Sequence, residues 1–332
     1  MNLYNLLKSE RDWLMTSIVF MGTPQFSVPI LEALVANDYQ ILAVVTQPDR
    51  KVGRKQVLQQ TPVKEAAVRL DLPVFQPEKL SGSPELADVI ALQPDLIVTA
   101  AYGQFLPTKL LEAAKIAAIN VHGSLLPKYR GGAPIQYAVL NGDSEIGITI
   151  MHMAKKMDAG DMIEQASIPI EATDDTGSLF DKLSYVGRDL LLKTLPGIIA
   201  QTAPRTPQDE VQVTFAYNIT KEQEQLDINQ PAEQLVNQIR ALRPQPGAWL
   251  AVNGQRTKIW QATVAETTTD QAAGVVVALN KKDFELAAGN GTVLKITEIQ
   301  PAGKAKMPVQ SYLNGVGKQL AVGQQVVVQD AE

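Results

Sequence analysis

A chain of 332 residues, 45% hydrophobic and 20% charged, has room for two domains with cores of their own and is too apolar for wholesale disorder. The absence of cysteine excludes disulfides, thiolate nucleophiles and cysteine-ligated metals, and two histidines, His122 and His152, cannot build a multi-histidine metal site. A net charge of −5 argues against a protein that coats nucleic acid along its whole surface, but leaves room for a local basic element.

From the amino end, residues 1–16 contain Lys8, Glu10, Arg11 and Asp12 with no continuous apolar run. They are expected as an N-terminal extension rather than a signal peptide, and Met15 offers an alternative start. No apolar stretch approaches the ~20 residues that span a bilayer, so a cytoplasmic, membrane-free protein is expected. Patterned sequence begins with a short buried strand at 17–21 (SIVFM), closed by Gly22-Thr23-Pro24 and followed by a helix to about residue 36. Strand 41–46 (ILAVVT), a polar loop and a helix over 61–70 come next. Short strand 74–75, helix 84–92, strand 96–101 (LIVTAA), strand 116–121 (IAAINV), helix 133–140 and strand 146–153 (IGITIMHM) follow.

Continuous apolar strands alternating with helices predict an α/β fold, a Rossmann-like, mostly parallel sheet covered on both faces. Ligands of such sheets bind beyond the carboxyl ends of the strands, so the loops after Met21, Ala101, Val121 and Met153 are expected to gather. A long helix over 177–200 closes this domain. Residues 201–208 (QTAPRTPQ) then read as linker. One helix near 232–242 precedes short β-type runs at 249–252, 258–260, 274–278, 284–287, 293–298 and 325–328, the texture of a small β-barrel, OB-like in kind. The expected division is an extension over 1–16, a first domain over 17–203, a linker over 204–222 and a C-terminal barrel over 223–332. From Gln223 onward Lys/Arg and Asp/Glu balance, so the net negative charge belongs to the first part.

The densest polar signal is Asn120-Val121-His122-Gly123-Ser124-Leu125-Leu126-Pro127, where a buried strand ends. Side chains repeat every two residues in a strand, so Asn120 and His122 share a face. Downstream, Met157-Asp158-Ala159-Gly160-Asp161 follows the next strand and could bring a carboxylate to His122. The plainer alternative, that these groups only satisfy turn backbone, stays open on the residues alone. His152, between Met151 and Met153, reads as a packed histidine, and Trp249 and Trp260 as barrel core. Gly22-Thr23-Pro24 is not a dinucleotide-binding glycine motif, which weakens an oxidoreductase reading.

The stretch 120–136 (NVHGSLLPKYRGGAPIQ), with 157–163 (MDAGDMI), closely resembles the folate-dependent formyltransferases. Gly22-Thr23-Pro24-x-Phe26, Gln47-Pro48-Asp49-Arg50 and the tail motifs around Pro244 to Trp249 and Pro301 to Lys304 resemble the branch that acts on aminoacylated tRNA. The resemblance runs from about residue 17 to near the C-terminus. It implies that Asn120, His122 and Asp158 are the catalytic trio and that Ser124, Leu125, Leu126 and Pro127 contact folate. It implies 10-formyltetrahydrofolate as co-substrate, no metal, and methionyl initiator tRNA as acceptor. The run Asp49 to Gln56 carries four basic residues against one acid. Alone it would read as a solvated loop; the resemblance makes Arg50, Lys51, Arg54 and Lys55 tRNA contacts. Arg240, Arg243, Lys281, Lys282, Lys304 and Lys306 are candidates for a second RNA surface in the barrel, and a monomer is expected. Competing readings are transfer to another amine, such as an amino sugar nucleotide, hydrolysis to formate, and a noncatalytic binding module.

Overall fold

The computed structural model describes residues 16–53 and 55–329. Residues 1–15 of the expected extension, Arg54 and residues 330–332 lie outside the described set. The chain divides into two compact units. The first takes residues up to 134 together with 145–169 and 180–217; the second takes 135–144, 170–179 and 218 onward.

The first half of the chain gives β1 (Ser17–Gly22), α1 (Val28–Ala36), β2 (Gln40–Val45), β3 (Arg50–Val52), β4 (Val57–Gln59), α2 (Pro62–Arg69), β5 (Val74–Phe75), α3 (Pro84–Ala91), β6 (Leu96–Ala100), α4 (Thr108–Leu111) and β7 (Ala117–His122). Then come α5 (Pro134–Leu140), β8 (Glu145–His152), β9 (Met162–Pro169) and α6 (Thr176–Ile199). The main sheet has the order β5-β2-β1-β6-β7-β8-β9. β1 pairs in parallel with both β2 and β6, so the strand order reverses there and the crevice opens beyond Gly22 and Ala100.

Local chemistry sets these boundaries. Thr61 and Ser83 accept from the backbone N–H groups of Lys64 and Leu86, capping α2 and α3, and Pro62 and Pro84 occupy the first helical positions. All six residues of β1 are buried, the pattern of a strand covered on both faces. Val19, Met21, Ala43, Val45 and Ile97 belong to one core with Leu80, Leu86 and Leu110. Each of the fully buried Val, Leu, Ile and Met side chains contributes about 1.5–3 kcal/mol. On the opposite side, Gly187 of α6 lets the helix approach Val121 closely, with Ile148 and Ile30 beside it. Val121 therefore faces α6, and Asn120 and His122 face away from it.

The parallel expectation holds for β1, β2, β5, β6 and β7, but β8 and β9 run antiparallel. β8 pairs His152 with Ile119, three positions before His122, so the loop after it must return along the sheet to reach the His122 edge. β9 was not expected. Its alternation of half-buried and exposed residues is that of an edge strand, weaker than the continuous apolar runs elsewhere.

In the second unit, α7 (Ala232–Ala241) accompanies β10 (Trp249–Val252), β11 (Gln255–Val264), β12 (Val276–Leu279), β13 (Phe284–Ala287), β14 (Val293–Pro301), β15 (Met307–Pro308) and α8 (Val309–Leu313). The strands form one antiparallel sheet in the order β10-β11-β14-β13-β12, with β15 on β14. Register shifts in β11 at Ile259/Gln261 and Gln261/Ala262 let the long strand bend, giving a half-barrel around Leu235, Ile239, Leu250, Ile259, Phe284, Leu286, Leu294 and Ile296. The expected strand at 325–328 is reduced to one bridge, Gln325 with Val275. Trp249 and Trp260, expected in this core, are half-buried outside it. Arg256 stacks on Trp249, and Lys258 and Lys306 lie over Trp260. No helix among the described residues is long and apolar enough to cross a membrane.

Candidate active site

The loops beyond β1, β2 and β6 are stitched together by side chains. Thr23 Oγ1 and Gln47 Nε2 both donate to the Tyr102 carbonyl, at 2.9 and 3.2 Å. The Gln104 amide accepts from Leu80 N and reaches toward Gln47 Oε1. Burial pushes the Tyr102 phenol up to about 12, and its buried Oη has no protein partner.

Asn120, beside these loops on β7, accepts at Oδ1 from Thr99 Oγ1 at 2.8 Å. Its Nδ2 then keeps both N–H groups, and no protein acceptor takes either of them among the described residues. His122 is buried, with Nε2 3.0 Å from the carbonyl oxygen of Tyr129. A carbonyl can only accept, so Nε2 carries the proton and Nδ1 is the nitrogen left for chemistry. Nδ1 lies 3.9 Å from Asp158 Oδ2. That gap is too long for a direct hydrogen bond. Asp158 Oδ2 accepts from Gly131 N at 2.9 Å. Asp158 therefore comes up to His122 from a loop that doubles back, and Asn120 lies two residues before His122 on the same strand.

Two glycines make that meeting possible. Gly131 has φ +128°, and a Cβ on it would run into the carbonyl of Ala216. A Cβ on Gly160 would overlap the carbonyl of His152. Asp158 itself sits at φ +47°, a left-handed conformation tolerated by Asp better than by most residues.

The Ser124–Pro127 loop is pinned from within. Ser124 Oγ donates to Lys128 O at 2.6 Å, Leu126 N donates to Thr149 Oγ1, and Gln165 Nε2 donates to Leu126 O. Ser124 and Leu126 are buried, while Leu125 and Pro127 keep partial exposure. Sequence reasoning missed Thr99, Thr149 and Gln165, which fix Asn120 and this loop. Thr99 and Thr149 carried a signal as polar residues in buried strands, whereas Gln165, exposed on the edge strand β9, carried none.

The basic run is a hairpin, not an irregular loop: β3 and β4 pair Arg50 with Gln59 through Val52 with Val57. Lys51 and Lys55 are exposed. Arg50 is engaged by Glu78 through two hydrogen bonds of 2.9 and 2.6 Å, both groups being well exposed. Such a surface pair contributes little and can be exchanged for a phosphate. Arg54 lies outside the described residues. In the second unit, Arg240 donates to the carbonyls of Asp174 and Glu171, and Arg243 to that of Trp260 while facing Asp175. These two side chains are tied to their own unit. Lys281, Lys282 and Lys304 are exposed, and Lys306 pairs with Glu298 at 2.8 Å.

His152 is half-buried, as expected of a packed residue. Burial first, and then the Arg205 charge, hold its ring below the usual histidine value, with Asp161 opposing. A depressed folded pKa means that its stabilising contribution is full above the unfolded value and is lost as pH falls through the folded one. His152→Gln is expected to shrink the drop in Tm between about pH 7.5 and about pH 5, measured by thermal melts. An unchanged drop would remove His152 from the acid response.

Comparisons with known proteins give the family. A family model described as formyl transferase matches residues 15–195, and one described as formyl transferase, C-terminal domain, matches residues 218–317. A methionyl-tRNA formyltransferase of Lacticaseibacillus casei is 62% identical over 318 residues, 96% of this chain and 100% of its own length. One of Lactiplantibacillus plantarum is 61% identical over 315 residues, 94% of this chain and 99% of its own. At the level of fold, HypX from Aquifex aeolicus in complex with tetrahydrofolic acid superposes with TM-score 0.62 at 17% identity, covering 91% of this chain and 48% of that one. An N-formyltransferase from Helicobacter canadensis in complex with folinic acid and dTDP-3-aminofucose gives TM-score 0.66 at 19% identity, covering 86% of this chain and 100% of that one. With both family models and near full-length identity to relatives in agreement, the chain belongs to the formyl transferase family, among the methionyl-tRNA formyltransferases.

Proposed function

We propose that this enzyme transfers the formyl group of 10-formyltetrahydrofolate to the free α-amine of methionyl initiator tRNA, giving N-formylmethionyl-tRNA for translation initiation. The observation that carries the reading at the site is the convergence of an uncommitted Asn120 amide, the free Nδ1 of His122 and the Asp158 carboxylate. The near full-length identity to methionyl-tRNA formyltransferases supplies the acceptor.

The chemistry follows from these atoms. The amine nitrogen attacks the formyl carbon, a C–N bond forms, and the carbonyl electron pair moves onto oxygen. Asn120 Nδ2 donates to that oxyanion. His122 Nδ1, a lone pair while Nε2 holds its proton on Tyr129 O, takes the proton released by the attacking nitrogen. Asp158 stabilises the imidazolium so formed. The same proton goes to the folate N10 as its bond to the formyl carbon breaks and the carbonyl re-forms. With Nε2 committed to Tyr129 O, His122 Nδ1 can donate to the oxyanion only when the ring is charged. Leu125 and Pro127, the two accessible residues of their loop, are the folate-facing ones in this reading.

Lys51 and Lys55, with Arg50 once released from Glu78, form the phosphate-contacting surface of the β3–β4 hairpin. The KM for the tRNA is therefore expected to rise steeply with added salt while kcat stays level. Initial rates over a potassium chloride series check this, and a salt-independent KM would count against the hairpin. The direct test of function is formyl transfer to methionyl initiator tRNA beside a no-tRNA control and an amino sugar nucleotide. Formate release without tRNA, or transfer to the sugar, would overturn the reading.

A further inference from the structure

Arg130 is the largest fully buried side chain described in the molecule. A buried guanidinium is costly unless its donors are paired. Its Nε donates to Gln208 Oε1 at 2.9 Å and its Nη2 to Glu210 Oε1 at 2.9 Å; Nη1 has no partner. Both partners come from the segment expected as a linker. That segment is held to the first unit by Thr206 bridging Met162 and Phe215 bridging Arg130.

Gln208 is the joint. Arginine offers only donors, so Gln208 Oε1 must face it, and the amide has one workable orientation. Its Nε2 then donates to the carbonyls of Asp158 and Gly160, each at 2.8 Å. The adjacent Gly131 N holds the other end of the same residue, the Asp158 carboxylate. Asp158 is thus gripped at its carbonyl by Gln208, which Arg130 orients, and at its carboxylate by the N–H of Gly131, the residue after Arg130.

We infer that Arg130 and Gln208 form a positioning unit that sets the Asp158 carboxylate against His122 Nδ1, so that the 206–216 segment takes part in turnover rather than serving as a tether. Neither side chain touches the reacting atoms; both act through Asp158, and the inference rests on the role of Asp158 proposed above.

The test uses the full chain with Gln208→Glu, alone and combined with Asp158→Ala. Glutamate still accepts from Arg130 but presents an oxygen to two carbonyls. The expected result is a fall in kcat of about 10-fold or more, with KM for folate and tRNA within about twofold, because misplacing a reacting group acts on turnover rather than on binding. Added to Asp158→Ala, the substitution should cost nothing further, since a residue acting only through Asp158 is silent once Asp158 is gone. If Gln208→Glu loses its cooperative melt, Gln208→Asn, with the amide one methylene short, is read the same way. A folded variant with wild-type kcat, or an undiminished second loss in the Asp158→Ala background, overturns the positioning unit. Wild-type turnover in Asp158→Ala itself would bring down the proposed role of Asp158 and this inference together, which separates the two failures.

Discussion

His122→Ala and Asp158→Ala are each expected to lower kcat by at least ~10²-fold, the usual scale for losing a positioned acid–base or electrostatic partner. The two losses are not equivalent. In the proposed reaction, His122→Ala removes the atom that carries the proton from the attacking amine to the leaving nitrogen. Asp158 removes the countercharge 3.9 Å away and a carboxylate that Gly131 holds in place. Because both act in one proton transfer, the double variant should fall little below the more damaged single one. Single-turnover rates with preformed complexes isolate the step, and KM for either substrate should change much less than kcat. Wild-type-like turnover in either purified variant would remove that residue from the reaction.

Gly160→Ala is expected to have the largest structural effect of any one-carbon change at the site. The new Cβ would overlap the His152 carbonyl, and neither the strand end nor the turn has a flexible side chain that can give way. The backbone around 158–161 must move, breaking the Gln208 hydrogen bond to Gly160 and displacing Asp158. Overpacking of this kind costs about 1–3 kcal/mol. The loss in kcat should exceed what the fraction unfolded accounts for. Thermal melts alongside kcat for the folded enzyme measure both parts. A variant with unaltered Tm and turnover would show that the turn has more freedom than the close approach of Gly160 to His152 allows.

Both predictions depend on features of different legibility. The buried strands β1, β2, β6 and β7 could be read directly, because continuous runs such as SIVFM have no other comfortable place than a sheet covered on both faces. Asn120 and His122 could be read too, since the two-residue period of a strand puts them on one face wherever the strand goes. The hairpin β3–β4 was not legible: three-residue strands with all side chains exposed have no burial pattern to read. The antiparallel turn of β8 and β9 was equally hidden, because an apolar run does not encode its direction.

The packing of 206–216 was not legible for a related reason. Proline-rich, polar sequence such as QTAPRTPQ is the composition of a tether, and only the tertiary structure shows that Gln208 and Glu210 are the partners of a buried arginine almost eighty residues earlier in the chain. Likewise Arg240 and Arg243 could be counted as charges from the sequence, but burial against Glu171, Asp174 and Asp175 decides that they are structural.

What the sequence determined by itself is therefore the inventory and the local geometry: no thiol chemistry, an amide and an imidazole on one strand face, a carboxylate in the following loop, and the resemblance that gives their chemistry. These follow from residue type and short-range periodicity. The tertiary structure alone decided which imidazole nitrogen is free, that the Asp158 carboxylate lies 3.9 Å from it, and that Gln208 holds the Asp158 carbonyl. Those facts depend on how the chain folds back on itself, bringing carbonyls and side chains together that no short-range periodicity pairs.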